Sequence, residues 1–133
     1  TGIAYDKRTD TLWVLTYSEL ININKNGKII ESIDFEIEGQ DQLFLDEDNN
    51  AMYFTAGINY NGDNFVYKVD LSTKKINLVF TLKDSFAVEG IYIEGDIMYI
   101  LNDGYYHEGK VNVNQLNKYD ISNQESLLFY DPE

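Results

Sequence analysis

Apolar and polar residues alternate in short runs along the whole sequence. Tyrosine, isoleucine, valine and phenylalanine fill these runs, and glycine, asparagine and aspartate separate them. Residues of these types in a two-residue period are typical of β-strands joined by short turns. Proline occurs once, at Pro132, and no window carries the apolar stripe of an amphipathic helix. The pattern therefore predicts an all-β protein.

One pattern of four strands occurs three times. The first strands are "TGIAYD", "DQLFLD" and "EGIYIE", and the fourth strands are "IIESIDF", "INLVFTL" and "SLLFY". The second strand carries one aromatic residue in each repeat, which we expect to pack between repeats rather than to stack on a ligand. These aromatic residues are Trp13, Tyr53 and Tyr99.

The third strand of each repeat ends at an asparagine or aspartate. The three residues are Asn24, Asp70 and Asp120. Side chains of this type accept hydrogen bonds from the backbone of a following turn, so we expect each one to fix a turn.

Four strands that recur about every 40–50 residues are the sequence signature of β-propeller blades. The predicted blades cover residues 1–36, 40–83 and 87–131 of a single domain, residues 1–133. Closed propellers have about four to eight blades, so three blades predict half, or another fragment, of a six-bladed ring. The remaining blades would come from a longer chain or from a second copy, and an open sandwich is the alternative fold.

The sequence begins at Thr1 rather than at methionine, which indicates a processed product or a fragment.

In a propeller blade, the loop before the first strand and the loop between the second and third strands share one face. These loops are unequal in length: "YS", "GINYNGDN" and "DGYYHEGKVNVN". Variable loops on a uniform scaffold are a common location for recognition, so we predict a binding face there. Its candidate ligand-binding residues are Asn59, Tyr60, Tyr105, Tyr106 and His107. The turn "DKRTD", residues 6–10, lies on the opposite face and is predicted to be solvated.

Four oxygen-bearing residues are predicted to converge at the channel mouth of the binding face. They are Asp41, Glu89, Asn102 and Asp103. Oxygen ligands suit Ca²⁺ better than Zn²⁺, and carboxylates this close together would repel one another without a cation or protons. The alternative is that each residue is a solvated turn residue or caps the start of a strand.

Charge and composition narrow the functional classes. The formal net charge is -13, which disfavours binding to nucleic acid or to an anionic membrane surface. The chain has no cysteine and a single histidine, His107, so thiolate and histidine-pair zinc sites are excluded. No G-x-S-x-G nucleophile motif occurs.

The phrases "GIAYDKRTDTLWVLT", "NINKNGKIIESIDF" and "VEGIYIEGDIMYILNDG" resemble the SdiA-regulated propeller family. They are similar, more distantly, to six-bladed propellers of the gluconolactonase and senescence-marker-protein type. This resemblance implies a divalent cation in the channel, held by a glutamate that opens a first strand, together with asparagine and aspartate from other blades. Glu89 matches that glutamate, and Asn102 or Asp103 matches a second ligand.

Three functional hypotheses remain open. The first is a binding module whose loops recognise an unidentified small molecule, glycan or protein, with Ca²⁺ at the channel mouth. The second is a metal-dependent hydrolase of lactones or phosphoesters, in which Glu89 and Asp103 hold the metal and His107 or Asp41 moves a proton. The third is a structural segment of a larger extracellular or viral assembly.

Overall fold

A computed structural model describes residues 2–37, 40–57, 63–82, 88–102, 106–107, 110–111 and 115–130. This part of the chain contains strands and no helix, which confirms the all-β prediction. It accordingly contains no helix that is long and apolar enough to cross a membrane.

The strands form three four-stranded antiparallel sheets, each arranged in the order expected for consecutive hairpins. The first sheet contains β1 (Gly2–Asp6), β2 (Thr11–Leu15), β3 (Glu19–Asn24) and β4 (Ile29–Asp34). The second sheet contains β5 (Gln40–Asp46), β6 (Ala51–Ala56), β7 (Asn64–Asp70) and β8 (Ile76–Leu82). The third sheet contains β9 (Val88–Glu94), β10 (Ile97–Asn102), β13 (Gln115–Asp120) and β14 (Glu125–Tyr130).

A separate two-stranded hairpin lies between β10 and β13. It pairs β11 (Tyr106–His107) with β12 (Lys110–Val111). The sequence pattern predicted a long loop here, because two-residue strands are too short to show an alternation.

The turns after the third strands have the predicted chemistry. Asn24 Oδ1 accepts hydrogen bonds from the backbone N–H groups of Asn26 and Lys28, at 2.9 and 3.0 Å. Asp70 Oδ1 accepts from the N–H groups of Ser72 and Thr73, at 2.8 and 3.0 Å.

In the third sheet, Asp120 Oδ1 accepts from the backbone N–H of Asn123 at 3.2 Å and from the Ser122 hydroxyl at 2.9 Å. The predicted turn-fixing role is therefore confirmed at all three positions.

The sheets pack face to face in chain order, with β5 in contact with both β1 and β9. Trp13, Leu15 and Leu20 of the first sheet meet Met52 and Phe54 of the second in one apolar core. Another core lies between the second and third sheets, and its buried members include Tyr53, Val66, Phe80, Met98 and Ile100. Three stacked sheets differ from the two facing sheets of the sandwich alternative.

The burial of the second strands follows from this stacking. Every residue of β6 is buried, whereas β2 alternates between buried and more exposed positions. The difference arises because the second sheet has a neighbour on both faces and the first sheet has one neighbour only, within the described part of the chain. Trp13 and Tyr53 are buried between sheets, and Tyr99 is half-buried.

Candidate functional site

The start of β1 lies close to the start of β5 at the predicted binding face. A Cβ atom on Gly2 would lie 2.7 Å from Leu43 Cβ and 3.3 Å from the backbone oxygen of Asp41. Only glycine permits an approach this close, so β1 enters the fold against the start of β5.

β-Bulges lift two predicted metal ligands out of the strand ladders. In β5 the register shifts between Gln40 and Leu43, where the backbone N–H of Gln42 donates to Thr55 Oγ1 at 3.0 Å. In β9 the register shifts so that Glu89 is the additional residue beside the pairing of Val88 with Asn102. A bulge redirects a side chain and is frequent next to functional sites. Alternation of residue types does not reveal it, because the extra residue looks like one more strand residue.

Asp41 and Glu89 are both exposed at these bulges. Asn102 ends β10, its side chain is not described, and Asp103 lies outside the described residues. Within the described ranges no group of three histidine, cysteine, aspartate or glutamate side chains is arranged to hold a metal ion. The calcium site therefore depends on Asn102 and Asp103 and stays a prediction.

The predicted ligand-binding residues fall largely outside the described chain. Asn59, Tyr60 and Tyr105 are among the residues that the structure does not describe, and Tyr106 and His107 are described only as the strand β11. Ligand recognition at these five positions likewise stays a prediction.

Tyr17 is a further aromatic residue on this face that the sequence analysis did not select. It is 71% exposed in the short loop between β2 and β3. With Ser18, Phe35, Glu36 and Ile37 it lines a cavity of about 260 Å³. Loop length did not indicate this residue, because its loop is the shortest of the three. An exposed tyrosine beside a cavity nevertheless suits recognition.

The turn at residues 6–10 is not simply solvated, so that expectation is wrong for Asp6. Asp6 is only 2% exposed. Arg8 Nε donates to Asp6 Oδ1 at 2.9 Å, and Arg8 Nη2 donates to Asp6 Oδ2 at 2.8 Å. These hydrogen bonds from Arg8 lower the pKa of the Asp6 carboxyl below its ordinary value.

Arg8 also joins the first sheet to the second. Its Nη1 atom donates to the backbone oxygen of Glu47 at 2.9 Å and to Asn50 Oδ1 at 3.1 Å. Asn50 in turn donates through Nδ2 to Ser72 Oγ at 2.9 Å. The mixed-charge turn is therefore an electrostatic connection between two sheets.

A larger groove of about 570 Å³ lies on the same opposite face, at the ends of β1, β5 and β9. Its aromatic and charged lining residues are Tyr5, Lys7, Phe44, Asp46, Glu47, Asp48, Tyr92 and Glu94. Lys7 Nζ is 3.8 Å from Glu47 Oε2, and four carboxylates outnumber this one lysine. The groove is consequently acidic.

Comparison with known proteins gives a likeness in fold alone. No protein-family model matches the chain, and no curated protein matches it. The chain is similar to a solved variant of the AtxE2 isopeptidase with Astexin3-dC4 bound, with a TM-score of 0.64 and 12% identity over 93% of this chain and 20% of that chain. Its similarity to the same isopeptidase in the apo form has a TM-score of 0.63 and 12% identity over 93% of this chain and 19% of that one. The chain thus spans about a fifth of the length of these structures.

Proposed function

We propose that the chain is a three-blade segment of a larger β-propeller and that its function is non-covalent binding. Its two end sheets receive further blades, and the completed ring carries the recognition loops on one face. Each four-stranded sheet is then one blade. The proposal agrees with the resemblance to six-bladed propellers.

The observation that carries this proposal is the burial of equivalent positions in the three repeats. Leu12, Met52 and Met98 occupy the same place in the second strand. Met52 and Met98 are 0% exposed because each packs on the preceding sheet, whereas Leu12 is 38% exposed. The first sheet therefore carries the same kind of surface as the other two, without a described neighbour to cover it.

Residues that point toward the following sheet show the same contrast in exposure. Leu15, Thr55 and Leu101 are equivalent residues that point toward the following sheet. Leu15 and Thr55 are each 1% exposed, whereas Leu101 is 40% exposed. An apolar residue at this position of the third sheet is explained by a further sheet that covers it.

A binding role is favoured by the polar groups at the predicted binding face. The bulged carboxylates Asp41 and Glu89 are exposed there, as is the Tyr17 ring. Strands and turns form a rigid scaffold behind them, which is the usual arrangement for a recognition surface.

A tandem protein tests the proposal. Two copies of the sequence, joined by a flexible glycine–serine linker, can supply six blades in one polypeptide. The proposal predicts a compact monomer whose free energy of unfolding exceeds that of the single chain by several kcal/mol, because full burial of each large apolar side chain contributes about 1.5–3 kcal/mol.

Urea unfolding and small-angle X-ray scattering give the readouts. A matched tandem with Leu12→Asp in its second copy should lose the additional stability, since the charge would lie inside the new interface. Two independent units with the urea midpoint of the single chain would contradict the proposal.

A further inference from the structure

We infer that the partner of each end face is a second copy of this chain, bound head to tail so that two copies close one ring. The inference rests on the proposed propeller and identifies the source of its missing blades. The head face is the surface of the first sheet that points away from the second sheet. The tail face is the surface of the third sheet that points away from the second sheet.

The head face carries two rows of mostly apolar residues that run across the first sheet. Beside them lies the Glu19 carboxylate, whose Oε2 accepts a hydrogen bond from Ser32 Oγ at 2.6 Å. One row contains Tyr5, Leu12, Ile23 and Ile29. The other contains Ile3, Val14, Ile21 and Ser32. Ile3, Tyr5, Leu12 and Ile29 are exposed, and neither row contains a charged residue.

Equivalent rows in the second sheet already form an interface. Leu45, Met52, Val69 and Ile76 correspond to the first row of the head face. All four belong to the core between the first and second sheets. The head face therefore has the side-chain pattern of a surface that packs on the preceding blade.

The tail face has the pattern of the complementary surface. Its central row contains Tyr92, Tyr99, Lys118 and Leu127. The corresponding row of the second sheet contains Phe44, Tyr53, Lys68 and Asn77.

Each of the two rows also contains a cation–π contact between its lysine and its tyrosine. Lys118 Nζ is 5.9 Å from the centroid of the Tyr99 ring, and Lys68 Nζ is 5.7 Å from that of Tyr53. Tyr53 is buried in the core against the third sheet. The tail face thus repeats a surface that packs on a following blade.

These correspondences select head-to-tail association. Both sheet interfaces within the chain join a tail-type surface to a head-type surface, and neither joins two surfaces of one type. A second copy is the partner whose two faces have both of the required patterns. A heterologous contact of this kind closes into a ring when the rotation between copies permits it.

Two copies bring together six described four-stranded sheets, and six blades lie in the usual range of about four to eight. Two copies related by a twofold axis therefore suffice for a ring.

Charge makes the association dependent on salt. Each copy has a net charge of -13, so two copies repel each other at long range. The apolar rows that meet in the interface oppose this repulsion. Higher ionic strength screens the repulsion and should strengthen the dimer.

Cysteine cross-linking tests the arrangement, because the natural chain contains no cysteine. Leu12→Cys marks the head face and Leu101→Cys marks the tail face, and both side chains are exposed enough for the fold to accept the change. With a short bis-maleimide, a mixture of the two variants should give covalent dimers, whereas each variant alone should stay monomeric on a denaturing gel. Asn26→Cys, in an exposed turn, is the control for random collision. Circular dichroism confirms that each variant is folded.

Sedimentation equilibrium of the unmodified chain should give twice the mass of 15.4 kDa. A mass of 15.4 kDa up to hundreds of micromolar, or cross-linking of Leu12→Cys with itself, would overturn the inference. A monomer would leave the propeller itself standing if the tandem protein gains stability, because another polypeptide would then supply the blades. The two failures are therefore distinguishable.

Discussion

Asp6 is a carboxylate held in an almost completely buried position by one arginine. Removing a charge from water is costly unless hydrogen bonds replace those of the solvent. The two bonds from the Arg8 side chain do so, and the backbone N–H of Arg8 adds a third at 3.1 Å. Because Arg8 also bonds to Glu47 and Asn50, Asp6 orients the group that connects the first two sheets.

Asp6→Asn should lower the free energy of unfolding by about 1–3 kcal/mol at pH 7, since a hydrogen-bonded charged partner is lost. The folded-state pKa of Asp6 is below its ordinary value of 3.8. The carboxyl therefore stabilises the fold above pH 3.8, and that contribution is lost as the pH falls through the folded-state pKa. The difference between the wild type and Asp6→Asn should consequently narrow below pH 3.8 in urea unfolding curves.

Asp10→Asn is the matched control, because Asp10 is exposed and its ion pair with Lys25 is a surface pair at 3.2 Å. Such pairs contribute little. Asparagine also tolerates the positive φ of 54° at this position. Equal effects of the two substitutions would show that the buried connection does not stabilise the fold.

Gly2 and Gly90 hold the same place in the first and third repeats but have different surroundings. Gly2→Ala should cost about 1–3 kcal/mol, because its Cβ would lie 2.7 Å from Leu43 Cβ. In the monomeric chain Gly90→Ala should be tolerated, since the nearest atom there would be Leu101 Cβ at 3.7 Å. Thermal unfolding of both variants measures the difference. If Gly2→Ala were as stable as Gly90→Ala, β1 would not approach β5 as described.

Residue types predicted the turns only in part. Asn24, Asp70 and Asp120 were predictable because their side chains bond locally. Lys74 and Gln124 adopt positive φ angles of 63° and 55°, which are uncommon for these residue types. Their conformations are set by the hairpins that contain them, so residue identity carried no signal.

At the scale of secondary structure, β6 is the most completely buried strand among those described. It lies inside its own sheet, and both of its faces are packed against other sheets. In contrast, β4 is the outer strand of the first sheet and exposes most of its side chains. Local stability follows the number of buried apolar contacts around a backbone hydrogen bond.

Amide hydrogen exchange should reflect this order. The amides of residues 51–56 should exchange most slowly. Those of residues 29–34 should exchange much faster, because the outer strand has a partner strand on one side only and contributes one buried side chain, Ile33, to a core. Mass spectrometry of peptides from the two strands gives the comparison. Equal protection of β4 and β6 would contradict the described stacking.

The strands were predictable to a large extent, and their irregularities were not. Alternation of apolar and polar residues identifies strands with one packed face, and a continuous apolar run such as that of β6 identifies a strand packed on both faces. Each outer strand nevertheless carries a register shift, beside Ile23, Val66 or Leu116 on its partner. A bulge adds one residue without changing composition, so the sequence pattern does not contain it.

At the scale of the whole molecule, the repeat alignment predicted that the aromatic residues of the second strands pack between repeats, and equivalent residues share the direction of their side chains. Met52 and Met98 point back and Trp13 and Tyr53 point forward, as the positions of the buried cores require. The candidate metal site was less predictable, because it combines Asp41 and Glu89 with residues of a long loop. Loop geometry does not follow from a strand period, and the acidic groove at the opposite face likewise arises only from the stacking of sheets.

The central claim is that the two end sheets are interfaces of the same kind as the interfaces inside the chain. A crystal structure of the assembled protein measures this most directly through the exposed fractions of Leu12 and Leu101, now 38% and 40%. Both fractions should fall close to the 0% of Met52 and the 1% of Leu15, each residue being covered by a four-stranded sheet. Leu12 and Leu101 left in solvent, or two head faces packed on each other, would contradict the claim.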